Sequence, residues 1–134
     1  MLLINVYSDT QWLVWPLYEL LKERAPEESI SHQSLPSWSS HVKFVESRPY
    51  EAWYAIIIDT HIVGATYLTR QREIGIFIFK AYQGQGYGKQ AVKMLMEKHP
   101  GPYLANVNPA NEKSKKLWES LGGEVIQHTY RVPA

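Results

Sequence analysis

Glu73-Ile-Gly-Ile-Phe-Ile-Phe79 runs through Lys80-Ala-Tyr82 into Gln83-Gly-Gln-Gly-Tyr-Gly-Lys89, and then into Gln90-Ala-Val-Lys-Met-Leu-Met-Glu-Lys98. The first part has the β-branched and aromatic character of a strand. The last puts Gly88, Ala91, Val92 and Leu95 on one helical face. Between them Gly84, Gly86 and Gly88 alternate with side chains. A strand ending at such a turn delivers the chain to free backbone N–H groups backed by a helix N-terminus, a place suited to phosphate.

The spacing of that turn excludes two common phosphate loops. A Walker A loop needs a glycine five residues before its Gly-Lys pair and a Ser or Thr after it, whereas Gly88-Lys89 has Gln83 upstream and Gln90 downstream. The dinucleotide fingerprint needs its third glycine three after the second, and an early strand leading into it. What remains, Q-x-x-G-x-G from Gln83 to Gly88, resembles the acyl-CoA pyrophosphate loop of the GNAT superfamily of N-acyltransferases.

Bulk properties fit a small-molecule partner. The 134 residues show no composition break and are read as one domain, 1–134, long enough to bury roughly two-thirds of the unfolded surface. A net charge of +1 with dispersed lysines gives no basic stripe for nucleic acid. The absence of cysteine excludes disulfides, thiolate metal sites and an acyl-enzyme through sulfur. Met1-Leu-Leu-Ile-Asn-Val-Tyr7 is too short for a signal peptide and no apolar run reaches spanning length, so no membrane role and a cytoplasmic location are expected.

In order, Leu2–Tyr7 reads as a strand. Ser8-Asp9-Thr10 offers caps for a helix to about Arg24, with an irregular start because Pro16 would break or bend its first turns. Glu27–Ser34 reads as a loop and Ser37–Ser47 as a short helix, in which His41 is a packing residue. Glu51–Ile58 is apolar on both alternating sets, which predicts a strand covered on both faces. Ile62–Thr69 and Glu73–Phe79 follow after turns short enough for an antiparallel meander. After the glycine turn and its helix, Tyr103–Val107 is expected as a parallel strand. Asn108-Pro109 should open a helix to Leu121, and Glu124–Arg131 should form a last strand.

This order also resembles the GNAT fold, and a second motif supports the likeness. The family usually carries Asn-x-x-Ala-x-x-x-Tyr before Leu-Gly-Phe; here the same frame holds Asn111, Ser114, Trp118 and Leu121-Gly122-Gly123. The resemblance implies an α/β (α+β) fold with a mixed, mostly antiparallel central sheet flanked by helices, and acetyl-CoA as co-substrate. It implies that the backbone of Ile76, Phe77 and Ile78 pairs with the pantetheine arm as an added strand. Gln83, Gly84, Gln85, Gly86, Tyr87, Gly88 and Lys89 would surround the pyrophosphate, and Asn111 would face the same cofactor. Lys115 is a candidate for its 3′-phosphate.

An alkylammonium, with a pKa of roughly 10.4, must lose a proton before it attacks a thioester. Glu73, at the start of the strand leading to the loop, is the expected base, with a surface ion pair to Arg70 or Arg72 as the alternative. His32 is the second candidate. Another GNAT branch uses a glutamate five residues before the motif asparagine, but here that position is Asn106. The N–H of Ile78 is the expected oxyanion donor. Trp118 stands where a tyrosine acid is usual and is read as a core anchor, leaving Tyr130 or Tyr103 as substitutes. Trp38, Trp53, Tyr54 and Tyr67 are candidates to line an acceptor pocket. The five histidines have no metal-ligand spacing, so no metal is expected. The function expected is N-acetylation of a small-molecule amine or a peptide N-terminus. A noncatalytic acyl-CoA-binding module and a dimerising structural protein, hence a possible homodimer, stay open.

Overall fold

The computed structural model describes residues 1–24 and 35–133. Strands β1 (Leu2–Asn5), β2 (Ala52–Ile58), β3 (His61–Leu68) and β4 (Ile74–Ile78) form one antiparallel sheet in the order β1-β2-β3-β4. Helices α1 (Thr10–Glu23) and α2 (Trp38–Glu46) lie on one face. Helix α3 (Tyr87–Lys98) lies on the other, joined at the cleft by α4 (Glu112–Ser120).

Alternation along β2 explains this layering. Trp53 and Ala55 pack with Leu13, Leu17, Leu20 and Val45 from α1 and α2, while Ala52 and Ile56 join Val92, Leu95 and Ala91 from α3. Both faces of the strand are thus covered, as its two apolar sets predict. A two-residue turn, Asp59-Thr60, with φ of 46° and 67°, joins β2 to β3. Positive φ at both central residues matches the right-handed twist of a hairpin.

Several expected boundaries move. Pro16 lies inside an uninterrupted α1; burial of Leu13, Leu17 and Leu20 on the sheet outweighs the lost hydrogen bond. The strand expected to Tyr7 ends at Asn5, and Val6–Ser8 is a 3-10 turn. Asn108 makes a local turn through Oδ1 to the Ala110 N–H, and the cap of α4 is Asn111, whose Oδ1 accepts from the Ser114 N–H at 3.0 Å.

The two expected C-terminal strands are corrected. Tyr103–Val107 contributes a single parallel bridge, Glu73 to Leu104, with Ile74 N–H to Leu104 O and Leu104 N–H to Arg72 O at 2.8 Å each. Beyond it the segment diverges from β4. Glu124–Arg131 is not a strand among the described residues: Val125, Ile126 and Tyr130 are exposed, because no ladder reaches them.

Candidate active site

The divergence after Leu104 leaves one edge of β4 open. Thr69 N–H bonds Glu73 O and Phe79 N–H bonds Val63 O, so by strand alternation Gly75 and Phe77 also turn their backbone groups toward β3. Ile74, Ile76 and Ile78 turn theirs the other way. Ile74 N–H is taken by Leu104, and Ile78 O accepts from Gln83 Nε2 at 2.9 Å. The N–H and C=O of Ile76 and the N–H of Ile78 have no protein partner among the described residues. Phe77 therefore cannot offer its backbone to a pantetheine arm, contrary to expectation; it serves the cleft by its position in the wall alone.

At the end of β4, Gly84 and Gly86 adopt φ of 81° and 80°, and a Cβ on either would meet open space. Gly86 is the N-cap of α3 and supplies no side chain, so the first intrahelical bond is Gln90 N–H to Gly86 O. The N–H groups of Gly86 to Lys89 consequently lack an intrahelical acceptor, and among the described residues no backbone acceptor takes those of Gly84 and Gln85 either. Gly88 brings α3 against β4: its Cβ position lies 3.6 Å from Ile76 and 3.7 Å from Ile78.

A cavity of ≈ 380 Å³ follows this edge, lined by Ile76, Ile78, Gly84, Gly86, Lys89 and Asn111 among others. Lys113 and Lys116 face it, whereas Lys115 pairs with Glu112 at 3.1 Å and does not. Lys113 Nζ also bonds Gln83 Oε1 at 3.2 Å, linking α4 to the loop. Asn111 lines the cavity while its oxygen caps α4. Gln85 and Tyr87 fall in the same turn, with Tyr87 on the cavity wall.

A second cavity of ≈ 320 Å³ continues from it, sharing Ile76, Phe77, Asn111 and Ser114. Glu73 stands in its wall. One carboxylate oxygen accepts from Asn106 Nδ2 and the other from Thr69 Oγ1 at 3.4 Å. Neither nearby arginine takes it: Arg72 pairs with Glu51 and reaches the carbonyls of His99 and Pro100, while Arg70 donates to Pro49 and Arg48. Asn106 orients this carboxylate, a contact across 33 residues that no local pattern signals.

Tyr67 lies across Gly75, stacked on Tyr50 with centroids 4.0 Å apart, and lines the same cavity. Burial raises its phenol pKa, so it stays a proton-bearing donor. Trp118 lines the cavity and packs on the α3 core. Trp38 meets Tyr18 edge-to-face outside the cleft, Trp53 is core, and Tyr54 bonds His99 at 2.7 Å. Tyr103 is held by the carbonyls of Met96 and His99, and Tyr130 is exposed, so neither supplies an acid here. His32 lies outside the described residues. Among the described residues no cluster of three His, Asp or Glu is disposed to hold a metal ion, and no helix is long and apolar enough to cross a membrane.

Residues 14–123 match the sequence model of the acetyltransferase (GNAT) family. No curated protein matches significantly. Among solved structures, a probable acetyltransferase superposes with a TM-score of 0.68 at 16% identity, covering 100% of this chain and 98% of that one. Ribosomal-protein-alanine N-acetyltransferase from Brucella melitensis gives 0.68 at 17%, covering 91% and 83%. The putative acetyltransferase yncA from Salmonella typhimurium, solved with its cofactor acetyl-CoA, gives 0.65 at 16%, covering 91% and 79%. At these identities the structures establish a common fold.

Proposed function

The chain belongs to the acetyltransferase (GNAT) family, and from that premise we propose that it moves an acetyl group from acetyl-CoA to a primary amine by direct attack in a ternary complex. The observation that carries this reading is the continuity of unpaired donors with a carboxylate. Ile76 and Ile78 offer strand-edge groups, and Gly84 to Lys89 offer amides at a helix N-terminus. Glu73 stands at the other end of the same groove.

The donor set fits coenzyme A. Its amide-bearing arm would complete the β4 edge through the N–H and C=O of Ile76. Its diphosphate would lie on the α3 N-terminus, where amides and the helix dipole favour negative charge, with Lys89, Lys113 and Lys116 adding positive charge. Bound acetyl-CoA supplies the activated acetyl group and a thiolate leaving group. Glu73, held by Asn106 and Thr69, takes the proton from the amine, directly or through water. The Ile78 N–H meets the negative charge that develops on the carbonyl oxygen. A thiol with a pKa of roughly 8.5, like that of cysteine, departs without a dedicated acid, which makes Trp118 compatible with turnover.

The test is native mass spectrometry for a co-purified thioester, followed by thiol release over a broad amine panel. Release with at least one primary amine, with a matching mass gain of one acetyl group, is expected. Tight acetyl-CoA binding with no release across the panel would replace catalysis with the binding-module reading.

A further inference from the structure

The acceptor end of the groove holds a positive charge that the transfer chemistry leaves unused. Arg24, which follows α1, lines the ≈ 320 Å³ cavity together with Glu73. Its guanidinium sits over the Phe77 ring, 4.2 Å from the centroid. Its Nε is buried with no hydrogen-bond partner. The ion pairs among the described residues are Lys22–Glu19, Arg72–Glu51 and Lys115–Glu112, so none of these carboxylates neutralises Arg24. An aromatic face offsets part of the cost of desolvating a guanidinium but accepts no in-plane hydrogen bond from its fork of donors.

Both charges act on one wall of the cavity. Tyr67 is pushed up chiefly by burial; Arg24 pulls its phenol pKa down, whereas Glu73 pushes it up. The cavity thus presents a carboxylate for an ammonium and a guanidinium for an anion. Among amines, an amino acid carries both complementary groups on one small molecule. A polyamine or an amino sugar carries no anion. A peptide N-terminus has spent the α-carboxylate of its first residue in an amide.

Resting on the reading that this groove transfers acetyl to an amine, we infer that the acceptor is a free amino acid, its amino group at Glu73 and its carboxylate on the Arg24 fork. Arg24 is then the specificity determinant of the reaction. Planar, two-point pairing with a carboxylate is what a guanidinium does better than an ammonium.

The experiment compares amino acids with their own carboxamides, over several side chains, in thiol-release kinetics with acetyl-CoA. The same compounds are titrated calorimetrically into the CoA-loaded protein, using the wild type, Arg24→Gln and Arg24→Lys, each first shown to melt cooperatively. The acid is expected to exceed its carboxamide by about tenfold or more in kcat/KM, mainly through KM, as one charge-assisted pair would give. Arg24→Gln should erase that ratio and Arg24→Lys should keep part of it. Equal use of acid and carboxamide, or a ratio that survives Arg24→Gln, overturns the inference and leaves acetyl transfer standing. If no amine releases thiol, the transfer reading fails and calorimetry decides the anion site. Acid-selective binding lost in Arg24→Gln sustains the site; equal binding removes it.

Discussion

Two neighbours, Asn106 and Thr69, hold the oxygens of Glu73, and Arg72 is drawn away to Glu51, an arrangement that suits the proposed base. Glu73→Gln preserves the shape and removes the acceptor of the proton. Its kcat with any accepted amine should fall by about 10²–10⁴-fold while acetyl-CoA affinity is kept, as stopped-flow thiol detection and calorimetry would show. Equal losses in both would mean that the residue is structural. Gly75 is a second position where one atom decides geometry, since a Cβ there would clash with the phenol end of the Tyr67 ring. Gly75→Ala should displace Tyr67 from the cavity, raise KM for the amine and cost about 1–3 kcal/mol in denaturant unfolding, the range for an overfilled site. An unchanged KM would place Tyr67 outside the acceptor's reach.

At the scale of elements, the junction of β4 with α3 does the work attributed to it only if its amides meet negative charge. Gly86 has φ of 80°, so any substitution there strains the backbone by about 1–2 kcal/mol; Gly86→Ala and Gly86→Glu share that strain. Only the glutamate adds a charge beside the amides. CoA affinity should therefore drop much further in Gly86→Glu than in Gly86→Ala, by at least about tenfold, and the gap should narrow at high salt. A common affinity for the two variants would mean that no anion sits there. The α1–α2 pair carries a different prediction. His41 is 2% exposed and donates Nε2–H to Val14 O at 2.8 Å, and burial lowers its pKa below the ordinary value. The unfolded chain then binds the proton more readily. Stability is complete above a pH of about 6.5 and is lost as pH falls through the lower folded value. Thermal midpoints measured between pH 7.5 and 5 should decline in wild type and decline less in His41→Gln; parallel slopes would assign the loss to other groups.

Over the whole molecule, the sequence was legible wherever a period met a face. The two apolar sets of β2, the inward stripe of α3 and the short turns of the meander are local patterns, and the sheet order follows from them. The alternating glycines disclosed the open turn because the left-handed φ of Gly84 and Gly86 is a conformation that glycine adopts freely. The remainder depends on contacts distant in the chain. Alternation in Glu124–Arg131 describes a strand but cannot supply its partner, and the segment from Tyr103 pairs at one residue before it diverges. Asn106 against Glu73, and Arg24 against Phe77, join residues 33 and more than 50 positions apart, so neither the orienting amide nor the guanidinium over the ring could be seen beforehand. These same contacts place a carboxylate at one point of the groove and a guanidinium at another. The central claim is that the open β4 edge and the α3 N-terminus together receive coenzyme A. Its most direct test is an amide-resolved NMR titration of the labelled protein with CoA. The account predicts the largest shifts at the N–H groups of Ile76, Ile78 and Gly84 to Lys89, with Phe77, bonded into β3, moving less; saturable binding that leaves those amides still and shifts others would contradict it.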